Sequence, residues 1–252
     1  MLDKQERLNI IKGGNAKLAS HIHTFSLPAG FSCPGAHLCL SKADPTSGKI
    51  TDGPAQEFRC YAASQECAYP SARKARWHNY NLLVNAATKD NMVKLILGSL
   101  PDNLKVLRLH VSGDFFSQAY FDAWAQVAVI NHKVTFYAYT KSLNYWTTSL
   151  TSIPDNMPLV ASRGGKFDHL IDRFSLKEAV VVFSPEEAQE KGLEIDHDDS
   201  HAYDKNKSSF ALLLHGQQRS GSKAAEAIKE LKSNNVDFSY NHKTKSHHGV
   251  TV

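Results

Sequence analysis

The order of apolar and polar positions divides the chain into two unequal parts. From residue 70 onward the pattern is regular. Residues 72–87 and 90–100 read as helices, and residues 105–111 (KVLRLHV) alternate as a strand does. Residues 117–130 place Tyr120, Phe121, Trp124, Val127 and Ala128 on one helical face, behind Ser117 as a hydroxyl N-cap. Residues 134–139, 158–161, 179–183 and 210–214 are short apolar strands. Helices at 142–150, 167–174, 185–191 and 222–232 separate and follow them, the third starting on a proline that suits a first helical turn.

Strands alternating with helices mean βαβ units and a parallel sheet. Five strands follow residue 70, and residues 21–27 supply a sixth. No GxGxxG or Walker-type glycine loop follows any of them, which argues against a nucleotide-binding open sheet. The expected fold is α/β: an irregular or partial parallel β/α (TIM-like) barrel with a long cysteine-rich N-terminal loop. Residues 1–252 are expected to form one domain, with a cysteine-rich segment at 1–70, a barrel core at 71–240 and a polar tail at 241–252.

The first 70 residues break every regular pattern. Pro28, Gly30, Pro34, Gly35, Pro45, Gly48, Gly53 and Pro54 interrupt helices and long strands. A loop of this length inside a compact domain is functional or tied down by something. Composition adds that the chain is globular: of 252 residues, 42% are hydrophobic and 21% charged, which excludes disorder and collagen-like structure. No apolar run reaches the ~18 residues of a membrane span. The polar start, MLDKQERLNIIKGG, lacks a signal-peptide core, so a cytoplasmic location is expected. The net charge of +4 is only a weak pointer to nucleic acid.

Candidate chemistry collects in two places. All four cysteines lie within the first 67 residues, as Cys33, Cys39, Cys60 and Cys67, spaced C-x5-C-x20-C-x6-C. Four thiolates can hold a [4Fe–4S] cluster or close a tetrahedral zinc site. The wide spacing favours the cluster over zinc, because zinc knuckles use tighter pairs. Two disulfides, or inert buried thiols, are the alternatives, and a reducing compartment disfavours the former. Arg73, Lys74 and Arg76 open the following helix against its dipole, either balancing an anionic cluster or forming a solvated basic face.

The second place is the set of strand ends. His110 lies in the first strand after residue 70, Ser112 and Asp114 follow it, Lys141 follows the next, Arg163 the third, and His215 and Arg219 the last. In β/α barrels this face carries the site. His110, Asp114 and Lys141 are the catalytic candidates, and Ser112, Arg163, His215 and Arg219 the candidates for binding an anionic ligand. His110 also reads as a core histidine. The stretch Asp196-His197-Asp198-Asp199-Ser200-His201 with Asp204 is rich in metal-capable groups but reads first as a solvated acidic loop. His242, His247 and His248 read as surface.

Four blocks carry a resemblance: HTFSLPAGFSCPGAHLC with FRCYAASQEC, then LRLHVSGDFFSQAYFDAW, FYAYTKS and HGQQRSGSKAA. Together, from about His23 to Leu231, the chain resembles the phage "gene product 88" family. The resemblance implies a phage-encoded iron–sulfur protein, in the host cytoplasm, with a barrel related to the radical S-adenosylmethionine fold and with Cys33, Cys39, Cys60 and Cys67 as cluster ligands. It supplies no activity. The compact C-x3-C-x2-C triplet of radical S-adenosylmethionine enzymes is missing, and four bound cysteines would leave no iron open. Three functions follow: a [4Fe–4S] protein with a structural, redox or sensing cluster and possible redox partner; an enzyme at the strand ends acting on a small anionic ligand; or a zinc-stabilised nucleic-acid-binding protein, with Tyr69, Trp77 and Tyr80 interleaved among the bases. No membrane partner is expected.

Overall fold

The structure, a computed structural model, describes residues 6–13 and 18–236. The expected tail at 241–252, with its three histidines, lies outside the described residues. In chain order the elements are β1 (Ile11–Lys12), β2 (Ile22–Thr24), β3 (Ser41–Ala43), β4 (Ile50–Asp52), α1 (Tyr61–Ala68), α2 (Pro70–Ala86), α3 (Lys89–Ser99) and β5 (Val106–Leu109). There follow α4 (Gln118–Ile130), β6 (Thr135–Thr140), α5 (Leu143–Thr148), β7 (Leu159–Ser162), α6 (His169–Phe174) and β8 (Glu178–Val182). The last are α7 (Pro185–Glu190), α8 (Ser200–Tyr203), β9 (Phe210–Leu213) and α9 (Lys223–Ser233).

Seven strands form one sheet in the order β1-β2-β5-β6-β7-β8-β9. All neighbours are parallel except β1 against β2. From β2 to β9 the spatial order is the chain order, with no reversal. Right-handed crossovers in such a sheet return the connecting helices to one face, and the short α8, packed on β6 and β7 from the other side, is an exception. The apolar residues obey this winding. Leu107, Leu109, Phe136, Ala138, Leu159 and Ala161 pack outward into the core shared with α3 and α4. Val182, Ala211 and Leu213 do the same with Leu231 of α9.

Of the expected irregular or partial TIM-like barrel, the structure shows the mixed α/β class and a mostly parallel seven-stranded sheet. Among the described residues β1 and β9 do not pair, so the sheet is open. Closure of such a barrel takes eight parallel strands; here six are parallel. The outer edge of β9 meets only an isolated bridge from Ile195 to Ala211.

Local chemistry places the helices. Ser117 caps α4 by accepting from the Tyr120 amide at 3.2 Å, and Tyr120, Phe121, Trp124, Val127 and Ala128 are all fully buried. Thr88, Ser184 and Ser222 cap α3, α7 and α9 in the same way. The cysteine-rich segment is ordered by two devices. The first is backbone bonding to the loops after the strands: Leu27 N–H to Ser112 O at 2.8 Å, Leu38 N–H to Gly164 O at 3.0 Å, and Lys166 N–H to Gly35 O at 2.9 Å. Gly35 approaches so closely that a Cβ would sit 2.1 Å from the Lys141 carbonyl oxygen.

The second device is a buried arginine clamp. Arg76 pairs with Glu66 at 2.9 Å, and Arg73 donates to the carbonyls of Pro45, Thr46 and Glu66. Both arginines are buried. The expected solvated basic face is therefore absent at these two positions: the positive charges at the start of α2 hold the loop by its own oxygens.

Candidate functional site

A cavity of about 180 Å³ opens at the C-terminal ends of β5 to β9, beneath the cysteine-rich segment. Cys33, Cys39 and Cys60 form part of its wall. Burial pushes the Cys33 thiol well up, and the Asp114 carboxylate, Cys60 and Cys39 add to the rise. Burial and then Cys39 push Cys60 up to about 11. Cys33 and Cys60 thus share a low-dielectric space, and Cys39 lies near enough to act on both.

Cys67 is set apart. It is exposed and does not line the cavity. Cys60 is the N-cap of α1 and Cys67 lies in its last turn, about 10 Å away along the axis at the usual helical rise. One zinc ion holds thiolates at about 2.3 Å each, so it cannot bridge the two without unwinding α1. The four cysteines are free of disulfides. Among the described residues, no three His, Cys, Asp or Glu side chains come together as a set for a single metal ion.

The strand-end candidates divide by geometry. His110, Ser112, Asp114, Lys141 and His215 line the cavity, whereas Arg163 and Arg219 do not. Asp114 is a satisfied carboxylate: it accepts from Thr140 Oγ1 at 2.6 Å, the Phe115 amide at 2.7 Å and the Lys141 amide at 2.8 Å. Burial still raises its pKa, against the pull of those bonds. Lys141 Nζ donates to Ser162 O, Ser162 Oγ and Arg163 O at 2.7–2.9 Å, which takes up all three of its donors. Ser112 Oγ lies 3.4 Å from Glu66. His215 stacks on Tyr61 with ring centres 4.8 Å apart, its Nδ1 3.1 Å from the Leu213 carbonyl.

His110 ends β5 in the left-handed region, at φ 58°, a conformation that costs a non-glycine residue something. Gly113, at φ 82°, completes the turn, and a Cβ there would meet Ser32 Oγ at 2.5 Å. The His110 ring is buried against Phe115, its Nε2 3.0 Å from Tyr120 Oη. Burial lowers its pKa to about 3, so the imidazole is neutral. Arg163 lies outside, paired with Glu178 and Asp172. Arg219 is exposed.

Sequence reasoning missed the cavity floor. Arg108 pairs with Asp199 at 2.6 Å, and Asp199 also accepts from Tyr137 at 3.1 Å and Tyr139 at 3.3 Å. The signal was present, since the period of two in KVLRLHV sends Arg108 opposite to Leu107 and Leu109. The acidic stretch at 196–204 is likewise corrected: Asp196, Asp199 and His201 are buried, because α8 folds under the sheet. His201 bonds Asp196 and Glu194, each at 3.0 Å. Trp77 and Tyr80 pack against Phe31 and Phe116 in edge contacts, and Tyr69 is 61% exposed, so these rings form no continuous stripe with Arg73 and Arg76.

These features define a singly wound α/β protein with a thiol-walled cavity at the carboxyl ends of its parallel strands. The chain belongs to the Gene product 88 family, which it matches over residues 2–233. It is 30% identical over 144 residues to the Gene 88 protein of Mycobacterium phage L5 and 31% identical over 145 residues to that of Mycobacterium phage D29. Each alignment covers 53% of this chain and 53% of the relative, so the chain spans about half the length of the curated relatives it matches. No solved structure matches it. The names of these relatives state neither activity nor cofactor, and the iron–sulfur and radical S-adenosylmethionine expectations draw no support from them. Among the described residues no helix is long and apolar enough to cross a membrane.

Proposed function

We propose that this phage-family protein binds a [4Fe–4S] cluster through Cys33, Cys39 and Cys60, with zinc as the alternative metal and the host cytoplasm as its setting. The observation that carries the reading is the convergence of these three thiols, from both ends of the segment 33–60, on the wall of one cavity. Burial keeps the free Cys33 and Cys60 thiols protonated, and ligation would release those protons. Arg76 favours the thiolate form of Cys60, and the Gly30 amide donates to Cys33 Sγ at 3.3 Å. Bound there, the cluster would supply one-electron chemistry or an electrophilic iron; a redox role calls for an electron-transfer partner.

A ligand set of three rather than four favours a second reading, an enzyme at the strand ends. Three thiolates leave one iron of a cubane for a small molecule, and the remaining wall of the cavity is available to bind it. The radical S-adenosylmethionine variant belongs to this reading.

Anaerobic purification with iron, sulfide and zinc analysis tests both. The expected product is brown, with equal iron and inorganic sulfide. Cys33→Ala, Cys39→Ala and Cys60→Ala should each lose the cluster, and Cys67→Ala should keep it. A chain that stays colourless and iron-free after reconstitution overturns the cluster. Loss of iron in Cys67→Ala equal to that in the other three overturns the three-ligand set. A spectral change on adding S-adenosylmethionine to the loaded protein would support the enzyme reading.

A further inference from the structure

We propose that Arg108 receives the carboxylate of a small organic monoanion bound in the same cavity. The inference concerns the site proposed above but does not need its metal, because Arg108 and Asp199 stand on β5 and beside α8 and neither is a proposed cluster ligand.

Arg108 is nine-tenths buried, and it lines the cavity from the inner face of the sheet. Its guanidinium carries five donors. Asp199 takes one at Nη1, and Nε has no hydrogen-bond partner. A buried charged donor without a partner is costly, and such atoms in folded proteins mark a water, an ion or a functional group that completes them.

The group is also held ready. Tyr137 and Tyr139 fix Asp199, which fixes one edge of the guanidinium, and the Tyr139 ring lies 5.1 Å from its central carbon. A planar fork held in this way suits a planar carboxylate.

Charge limits the ligand. Asp199 already neutralises Arg108, Asp52 pairs with Arg59 on the wall, and Lys141 is fully engaged with oxygens of β7 and its loop. A dianion would meet Asp199 with little to offset the repulsion, whereas a monoanion can share the guanidinium. The apolar side of the cavity, formed by Phe58, Val181 and Leu212, would cover a hydrophobic body.

The test uses the full chain, reduced and metal-free, followed by proton–nitrogen NMR. Benzoate is the probe, with acetate and inorganic phosphate as comparison arms at matched ionic strength. Arg108→Lys identifies the Arg108 Nε–H signal by its loss. Benzoate should move that signal saturably, acetate more weakly and phosphate not at all. Arg108→Lys should weaken benzoate about tenfold, as loss of a charge-assisted bond does, and Arg219→Gln should leave it unchanged.

An Arg108 signal that benzoate leaves in place means a water only and overturns the proposal. So does phosphate acting at lower concentration than benzoate, or wild-type benzoate affinity in Arg108→Lys. Lysine keeps a charge opposite Asp199, and should that variant not fold, the wild-type titration decides alone. Iron content is read separately, so failure of the thiol reading would leave this result standing, and the reverse.

Discussion

The two faces of the sheet are built from the same strands, one residue out of step, and they differ in kind. On the outer face Leu107, Leu109, Phe136, Ala138 and Ala161 join a core of buried apolar side chains that includes those of α3 and α4. On the inner face the same strands present Arg108, Tyr137 and Tyr139, tied to Asp199 under α8. The outer face holds the fold together through area removed from water. The inner face holds charge in place, with Asp199 shared among Arg108, Tyr137 and Tyr139. The difference teaches that stability and chemistry in this protein are separated by the alternation of a strand, so each can be disturbed with the other left standing.

The largest effect should come from the outer face. Trp124 is fully buried between Phe25 and Phe136, with ring centres 5.6 and 6.0 Å away. Trp124→Ala should cost about 3–5 kcal/mol, the usual range for deleting a large core aromatic. Cys33→Ala, on the cavity wall of the reduced, metal-free chain, should cost no more than about 1 kcal/mol. Urea denaturation followed by circular dichroism measures both. Equal losses in the two variants would break the division between the faces.

How much of this could be read in advance follows the same line. Every helix and strand after residue 70 that rests on an apolar period was legible, α8 excepted. In α4 even the buried face and the Ser117 cap were readable, because period, cap and burial all point the same way there. The α1 helix was not: YAASQECA has little apolar periodicity, and its burial comes from the loop above it. The hairpin β3–β4 is only three residues per strand, too short for an alternation to register. At the site, the cysteines and the strand-end positions were visible as residue types. Which cations enter the cavity was not, since that depends on which neighbours claim them. Lys141 and Arg163 are claimed by β7 and β8, and Arg108 was hidden by standing inside a strand. Asp199 is the residue just before a four-residue helix in a stretch whose composition resembles a surface loop, and only the long-range pairing with β5 reveals its burial.

A second, smaller effect concerns pH and belongs to the boundary between the faces. His110 is held neutral, its pKa lowered to about 3 by burial from an ordinary 6.5. Between these values the unfolded chain binds a proton that the folded chain refuses. Stability is therefore complete above about 6.5 and falls as the pH drops towards 3, by up to about 1.4 kcal/mol per pH unit. At pH 5 the loss from this residue should be about 2 kcal/mol. His110→Asn keeps the tolerance for a positive φ and removes the titration, so its stability should depend less steeply on acid than that of the wild type. Parallel slopes for the two proteins between pH 6.5 and pH 4 would mean that the imidazole is solvated, and that the cavity is wetter than its walls imply.

The smallest effects are expected where the sequence alone pointed most plainly. Arg163 is one-third exposed, and its partner Asp172 is three-quarters exposed. Ion pairs this open to water contribute about 0–1 kcal/mol, so Arg163→Gln should be nearly silent in denaturation, even with Glu178 beside it. Arg219→Gln, at an exposed loop position, should stay within about 0.5 kcal/mol. Neither should change benzoate binding. The physical reason is that water already solvates these cations, whereas Arg108 has been stripped of water and given a single carboxylate in return. An Arg219→Gln variant that lost benzoate while Arg108→Lys kept it would move the anion site out of the cavity and onto the loop after β9. The inner face would then be a second structural core, with its charges present only to pair one another.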